Sequence, residues 1–282
     1  HFEPIEDNDK IYGAGASDMK GGVAAFLWFI HQYESALSQH YHISIILYAR
    51  EEGTPIKENG LYEIIQNESS FLNSIDLAII AEPTNNTIQL GCVGSIHAAI
   101  TVKGKSSHSA RPWDGDNALY KALPVIQYFA DQVPVAHQVS GVTFSDVISI
   151  TESQCQLGRT TIPGEWTANV NFRYAPVHQD PEAVLMQHCN LAGLNRDCVV
   201  IKDHAPAGLV IDTAVFKQIM SQLDQPIEAK QAWTDVAQLT AMGVAAFNFG
   251  PGLTSQAHLP NEYISVKMIE AYIDYLKRLI KE

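Results

Sequence analysis

The chain is 282 residues long and 46% hydrophobic, with 31 acidic against 18 basic side chains and a net charge of -13. This length is sufficient to bury a substantial core, and we expect two domains. The negative charge repels nucleic acid and anionic membrane surfaces, so neither is an expected partner. No apolar run approaches the roughly 18 residues of a membrane span.

The four cysteines lie far apart and form no C-x-x-C pair, which disfavours both a disulfide framework and a thiolate zinc site. We therefore expect a reducing compartment, the cytoplasm. The sequence begins at His1, without an initiator methionine or a signal peptide, so we expect a fragment or a processed chain.

Helix and strand patterns alternate near both ends of the chain. Three segments carry apolar residues at helical spacing: 19–31, 234–243 and 265–280. Three others are short, rich in β-formers and almost continuously apolar: 42–50, 76–83 and 245–252. Such runs are typical of strands covered on both faces. The alternation predicts an α/β domain with a mostly parallel central sheet.

The middle of the chain has a different pattern. Residues 165–174 alternate strictly between apolar and polar, which predicts a strand with one packed face and one open or functional face. Arg173 lies on the open face. Further strands are predicted around it, with helices at 116–132 and 180–190, so that the order between 95 and 205 is β-α-β-β-α-β, the ferredoxin-like arrangement. We therefore predict a discontinuous main domain, 1–94 plus 206–282, with residues 95–205 inserted as a smaller domain.

Side chains that commonly ligate metal ions follow the predicted strands. Glu51 and Glu52 follow the first strand, Glu82 closes the second, and His258 lies in the loop after the third. Asp18 lies in a Gly-rich turn before the first helix. Ligands gather at the carboxyl ends of strands in open α/β sheets. Because these groups would repel one another unless cations lay between them, the sequence predicts a divalent metal site.

The adjacent pair Glu51 and Glu52 suits such a site. One residue can ligate a metal while its neighbour accepts a proton from water. Taken alone, the pair is more typical of a solvated surface turn, and a single histidine in a Pro/Gly loop carries no signal. The stretch "GAGAS" could be a phosphate loop, yet it lacks the G-x-G-x-x-G spacing and follows no clear strand. The coincidence of four metal-type positions favours the metal site.

Several motifs resemble, in chain order, those of the dinuclear zinc aminoacylase and carboxypeptidase family. They are "GASDMKGG", "EEGTP", "AEPT", "GKSSHSARPWDGDNA", "ANVNFRYAP", "WTDVAQLTAMGVAAFNFGPG" and "AHLPNE". The resemblance covers essentially the whole chain. It implies a zinc-exopeptidase-like catalytic domain carrying an inserted ferredoxin-like domain, which serves for dimerisation or as a lid.

The resemblance also implies roles for the strand-end residues. Asp18 would bridge two zinc ions, with cobalt as an alternative metal, Glu52 and His258 would complete one site, and Glu82 would serve the other. Glu51 would be the general base that deprotonates water and later protonates the leaving amine. Zinc suits this mixture because it accepts oxygen and nitrogen donors and lowers the pKa of bound water to about 7.

In the inserted domain, the resemblance implies that His108 reaches the partner subunit's active site and stabilises an oxyanion. Without the motif, His108 would be interpreted as a solvated loop histidine. Arg173 matches an arginine that pairs with a substrate carboxylate, for which a planar guanidinium is suited. Arg111 is a weaker candidate for that work and is expected to be structural. Asp235 would orient substrate or support a ligand, although an acid at a helix start is ordinarily a cap.

The sequence departs from the family pattern in two places. Family members carry a His-x-Asp segment ahead of the Gly-rich turn, and its histidine completes the Glu82 site. The sequence begins after that position and His1 does not match it, so we expect one zinc site to be incomplete and the fragment to be inactive alone. In "LGRTTIPG", Arg159 and Thr160 replace a pair of asparagines that would contact substrate. An extra cation there would favour a succinyl or other acidic acyl group.

These implications lead to one expected activity and several alternatives. The expected activity is zinc-dependent hydrolysis of an N-acyl amino acid, with N-succinyl-LL-2,6-diaminopimelate as first candidate, by a cytoplasmic homodimer. The alternative within the class is an N-acetylornithine deacetylase or a related metallo-carboxypeptidase. The alternatives from other classes are a non-catalytic binding module that has kept the fold and a nucleotide-binding protein that uses "GAGAS".

Overall fold

The structure, a computed structural model, describes residues 3–53, 55–155 and 158–280. Its strands are β1 Ile5–Asp7, β2 Lys10–Tyr12, β3 Leu77–Ile80, β4 Ile88–Leu90, β5 Gly94–Lys103, β6 Ser107–His108, β7 Val135–Val139, β8 Val142–Cys155, β9 Thr161–Ile162, β10 Glu165–Tyr174, β11 Val199–Ala205, β12 Ile227–Ala229, β13 Ala245–Asn248 and β14 Tyr263–Ser265. Its α-helices are α1 Gly21–Leu37, α2 Gly60–Asn67, α3 Ser69–Leu72, α4 Ala118–Ala130, α5 Pro181–Leu191, α6 Ala214–Leu223, α7 Val236–Ala241 and α8 Val266–Leu276. None of the helices in the described ranges is long and apolar enough to cross a membrane.

The chain divides into two compact units. The first contains the described residues within His1–Gly91, Gly208–Lys230 and Thr234–Glu282. The second contains those within Cys92–Ala207 and Gln231–Trp233. Each unit therefore draws on segments that are separated in the sequence.

A mixed four-stranded sheet in the order β12-β4-β13-β3 forms the centre of the first unit. The pairings β12–β4 and β13–β3 are parallel, whereas β13–β4 is antiparallel. The predicted α/β class and the mainly parallel pairing are therefore confirmed, with one antiparallel pairing that the sequence analysis did not foresee. Every residue of β13 is buried, as expected for a strand covered on both faces.

A close approach of helix α1 to the end of β3 fixes the position of the Gly-rich turn. A Cβ atom added to Gly22 would lie 2.3 Å from the carbonyl oxygen of Ala81 and 2.9 Å from its Cβ. Only glycine allows the first turn of α1 to approach the strand end so closely. This contact holds Asp18, three residues before α1, beside the sheet edge where Glu82 lies.

The second unit contains an antiparallel sheet in the order β11-β5-β10-β8-β7. The strand predicted at 165–174 is β10, with the alternating burial that its sequence indicates. Apolar side chains of β10, including the almost fully buried Trp166 and Phe172, pack against helices α4 and α5 to form one core. The predicted helices at 116–132 and 180–190 are confirmed as α4 and α5.

The prediction of a strand over residues 42–50 is wrong. In the described part of the chain this segment forms no strand, and Ile43, Ile45 and Leu47 are exposed by 44%, 49% and 63%. The apolar run has the composition of a buried strand, but a strand also needs a neighbour that completes its backbone hydrogen bonds. Composition predicts propensity and does not predict the pairing partner.

We predict that Gly22→Ala lowers the free energy of unfolding by about 1–3 kcal/mol, because the new methyl group must push α1 away from Ala81. In an isolated helix, alanine is more stabilising than glycine by about 1 kcal/mol, so a loss of stability would have to come from the contact with Ala81. Chemical denaturation measures the change. The matched control is Gln32→Ala on the exposed part of the same helix, where we expect a change within about 0.5 kcal/mol. Unchanged stability of Gly22→Ala would contradict the close approach.

Candidate metal and catalytic site

Three of the predicted ligands converge in the first unit. Nε2 of His258 lies 3.5 Å from Oε2 of Glu52 and 3.9 Å from Oδ2 of Asp18. One donor atom of each residue falls within 4.8 Å of the other two. Asp18 comes from the turn before α1, Glu52 from the turn after residues 42–50, and His258 from the loop before β14. Folding therefore joins three segments that are distant in the sequence.

Glu262 holds the Asp18 turn in place. Its side chain is buried, Oε1 accepts hydrogen bonds from the backbone N–H groups of Ser17 and Asp18 at 2.8 Å, and Oε2 accepts one from Gly15 at 2.7 Å. Backbone N–H groups that converge in this way are a favourable environment for a carboxylate. Because Glu262 also lies four residues after His258, one carboxylate links the loop of one predicted ligand to the backbone of another.

The carboxylates around this cluster are energetically crowded. Burial, followed by the charges of Glu82 and Asp235, raises the pKa of Glu51 to about 9. Burial and the charge of Asp18 raise the pKa of Glu52, and His258 opposes that shift. Burial and the neighbouring carboxylates therefore favour the protonated form of Glu51.

Glu82, the fourth predicted ligand, is paired with a buried lysine. Nζ of Lys230 donates to Oε2 of Glu82 at 3.4 Å and to the carbonyl of Pro83 at 3.3 Å. Lys230 is only 4% exposed. Burial raises the pKa of Glu82 to about 7, although Lys230 acts in the opposite direction. The charge of Asp18 also raises this pKa, so the two carboxylates interact electrostatically, although the local cation of Glu82 is a side chain. Among the described residues, Glu82 does not join the three-residue cluster.

Asp235 is the centre of a buried hydrogen-bond network. It accepts from the Tyr48 hydroxyl at 2.5 Å, from the Asn59 amide at 2.9 Å and from the Gln238 amide at 2.6 Å. Its side chain does not cap α7, although it occupies the first position before that helix. Donors from three segments engage both of its oxygens, so Asp235 fixes the segment that leads into Glu51.

The other predicted residues lie in the second unit. His108 is on β6 and pairs with Thr161 of β9, and its Nδ1 accepts from the backbone N–H of Ala110 at 3.1 Å. The exposed residues Arg159 and Thr160 directly precede β9. The carbonyl of Thr160 accepts from the backbone N–H of Ser109 at 2.8 Å. The histidine and the two residues that depart from the family pattern are therefore neighbours.

Arg173 is half-buried on β10, where its Nε donates to Oδ1 of Asn171 at 3.0 Å. Burial lowers the pKa of its guanidinium. In the ranges that the structure describes, no carboxylate forms an ion pair with Arg173. A partly desolvated guanidinium of this kind is suited to bind an anionic group. Arg111, expected to be structural, is exposed at the start of a short 3-10 turn.

Sequence reasoning missed Glu262 and Lys230. Glu262 ends the quoted motif "AHLPNE", and an acid in a motif that also carries a ligand was the available signal. Lys230 had no comparable signal, because it follows a three-residue strand, β12, and ordinary lysines are exposed.

The donor set fits a divalent metal ion. Asp18 and Glu52 offer carboxylate oxygens and His258 offers an imidazole nitrogen, a mixture that zinc accepts. A cation would also offset the burial and the like charges that raise the pKa of Glu51 and Glu52. The surroundings of the cluster therefore suit a bound cation.

The chain is similar to several known proteins. The chain is 32% identical over 293 residues to a succinyl-diaminopimelate desuccinylase of Corynebacterium glutamicum, covering 99% of this chain and 78% of that protein. Its fold is similar to a tripeptidase of Staphylococcus aureus, with a TM-score of 0.74, 16% identity, and coverage of 99% of this chain and 75% of the other. It is also similar to an M20 family metallo-carboxypeptidase of Sulfolobus solfataricus, with a TM-score of 0.68, 17% identity, and coverage of 98% and 78%.

The family model described as peptidase family M20/M25/M40 matches residues 1–282. This match confirms the resemblance drawn from the motifs and the prediction of a metal-dependent amidohydrolase. The chain belongs to peptidase family M20/M25/M40.

Proposed function

We propose that the protein hydrolyses N-succinyl-LL-2,6-diaminopimelate to succinate and LL-2,6-diaminopimelate. The convergence of Asp18, Glu52 and His258 beside Glu51 carries the proposal, because it combines metal-type donors with a carboxyl group able to move protons. The similarity to a succinyl-diaminopimelate desuccinylase supports the choice of substrate. The alternative substrate within the class is N-acetylornithine or a peptide.

Asp18, Glu52 and His258 would hold one zinc ion, and Asp18 with Glu82 would contribute to a second. Bound zinc supplies Lewis acidity, which polarises a carbonyl and acidifies water. The pairing of Glu82 with Lys230 distinguishes the two positions, because a metal at Glu82 must compete with the buried ammonium. The first site is accordingly the stronger one.

Glu51 is the proposed general base and acid. Its carboxylate would take a proton from the attacking water and deliver it to the departing amine, so that the proton removed in the first half of the reaction is used in the second. Its burial and its neighbouring carboxylates favour the protonated form, which suits the donation step. Its position directly before Glu52 keeps it next to the metal-type donors.

The second unit would supply the oxyanion donor His108 and the anion receptor Arg173. Its sheet places β11, β5, β10 and β8 side by side, which supports the ferredoxin-like dimerisation or lid domain. A cytoplasmic homodimer, in which His108 serves the partner's site, belongs to the same proposal. The half-buried guanidinium of Arg173 would bind a substrate carboxylate.

We predict that the protein with added zinc prefers N-succinyl-LL-2,6-diaminopimelate in a panel that includes N-acetylornithine and a dipeptide.

We predict that Glu51→Gln lowers kcat by about 100- to 10,000-fold, because the amide cannot accept and return the proton. Zinc content should stay the same, because Glu51 is not a proposed ligand. Steady-state kinetics and elemental analysis measure both quantities.

The matched control is Glu58→Gln, which changes an exposed glutamate nearby and should leave kcat unchanged. Near-normal turnover by Glu51→Gln would remove Glu51 from its role. A wild-type protein that binds zinc but hydrolyses none of the panel would instead support the non-catalytic binding module.

Arg159 tests the acyl specificity. We predict that Arg159→Gln lowers kcat/KM for the succinyl substrate by about tenfold and leaves the acetyl substrate unchanged, because an ionic hydrogen bond to the succinyl carboxylate is lost. The charge-matched control is Lys202→Gln, an exposed cation on β11. An equal loss for both substrates would show that Arg159 does not read the acyl group.

Glu262 tests the positioning of Asp18. In Glu262→Gln, an amide N–H₂ replaces an oxygen that accepts backbone hydrogen bonds, so two donors face each other and the turn must shift. We predict that zinc affinity falls by about 10- to 100-fold. Competition with a chromogenic chelator measures it. Glu270→Gln, on the exposed side of α8, should bind zinc normally. Unchanged affinity in Glu262→Gln would contradict the role.

A further inference from the structure

A second group of metal-type side chains lies in the second unit and shares no residue with the cluster described above. His137 is on β7, Asp146 is on β8, and His178 follows β10. Nε2 of His137 lies 3.0 Å from Oδ2 of Asp146, and Nε2 of His178 lies 2.6 Å from the same oxygen. We propose that His137, Asp146 and His178 bind one Zn²⁺ or a similar divalent transition-metal ion.

Strand register creates the first half of this site. His137 pairs with Phe144 in the antiparallel β7–β8 hairpin, and Val135 pairs with Asp146. Residues that are diagonal across such a pair point to the same face of the sheet, so His137 and Asp146 are held side by side. The backbone of the hairpin therefore fixes an imidazole and a carboxylate at metal-ligand spacing without help from a loop.

The second half comes from the segment that follows β10. Oδ1 of Asp146 accepts from the backbone N–H of Ala175 at 2.7 Å, which anchors the carboxylate and leaves Oδ2 to face both imidazoles. The ring of His178 lies 6.3 Å from the Phe172 ring and 6.4 Å from the Tyr174 ring, measured between centroids. Hydrogen-bond partners such as the Ala175 N–H orient carboxylate ligands in known metal sites.

The donor chemistry suits a transition metal. One donor atom of each residue lies within 4.8 Å of the other two, and two imidazoles with one carboxylate form a ligand set that leaves positions open for water. The three side chains are 24%, 12% and 18% exposed in chain order, so an ion can enter with part of its hydration. With bonds of about 2.0 Å, tetrahedral ligands stand roughly 3.3 Å apart, so the nitrogen–oxygen contacts need only a small opening.

A bound ion would replace the protons that the two imidazoles now share with Oδ2. It would tie the edge strand β7, through β8, to the segment after β10, and so add a cross-link within the second unit. The hydrogen-bonded trio without metal is the competing state. The two states differ in a measurable quantity, the number of ions that the second unit retains.

The experiment counts zinc in the full-length protein after equilibrium dialysis, using Asp18→Asn as the background that weakens the first site. We expect Asp18→Asn combined with His178→Gln, and separately with His137→Gln, to retain one ion fewer than Asp18→Asn alone. His31→Gln, which changes an exposed histidine on α1, should leave the count unchanged in that background. Equal zinc counts with and without His137 and His178 would overturn the proposal.

Copper provides a second readout that identifies the ligands. With one equivalent of Cu²⁺ added to Asp18→Asn, we expect electron paramagnetic resonance to show coupling to two imidazole nitrogens, and to one after either histidine is replaced. Circular dichroism shows that each variant is folded before it is measured, and the two single replacements serve as independent tests. A copper spectrum that neither replacement alters would overturn the assignment.

Discussion

The site holds several carboxylates close together, and positively charged side chains do not surround each of them. Asp18, Glu52 and Glu51 share one neighbourhood, and burial together with their mutual charge raises the pKa of the two glutamates. Such an arrangement costs stability unless cations or N–H dipoles compensate it. The fold uses N–H dipoles at Glu262, where three backbone groups converge, and an ammonium at Glu82, where Lys230 is buried. In the cluster with His258, the histidine partly opposes the shift of Glu52, and a metal ion would add further compensation.

The scaffold makes this crowding possible through close packing of the backbone. Gly22 allows α1 to approach the carbonyl of Ala81, and the turn before α1 is thereby carried to the sheet edge. Asp235 does comparable work for Glu51 by engaging Tyr48 and Asn59 from the preceding segment. Both contacts lie outside the group of proposed metal ligands, yet they fix where its members stand. Residues at a distance from the chemistry therefore set the geometry of the site.

Local patterns predicted the parts of the fold that depend on period and composition. The alternation of residues 165–174 became β10, and the helical stripe at the end of the chain became α8. The strand predicted at 42–50 does not form, because a strand needs a neighbour that completes its backbone hydrogen bonds. No local sequence pattern specifies that neighbour. Asp18, Glu52 and His258 do converge, but not as the ends of neighbouring strands, because the segment before Glu52 forms no strand and Asp18 lies in the turn before α1. The sequence did not predict the roles of Glu262 and Lys230, because their burial arises from tertiary packing.

The pairing of Glu82 with Lys230 has a consequence for how the protein would take up metal. A buried ammonium without its carboxylate is unfavourable, so any ion that binds Glu82 must either displace Lys230 toward water or share the carboxylate with it. An ion at Asp18, Glu52 and His258 would face no buried lysine in that group of described residues, since the donors are two acids and an imidazole. For the two ions proposed above, uptake would therefore be ordered, with the first ion at His258 and the second dependent on movement of Lys230.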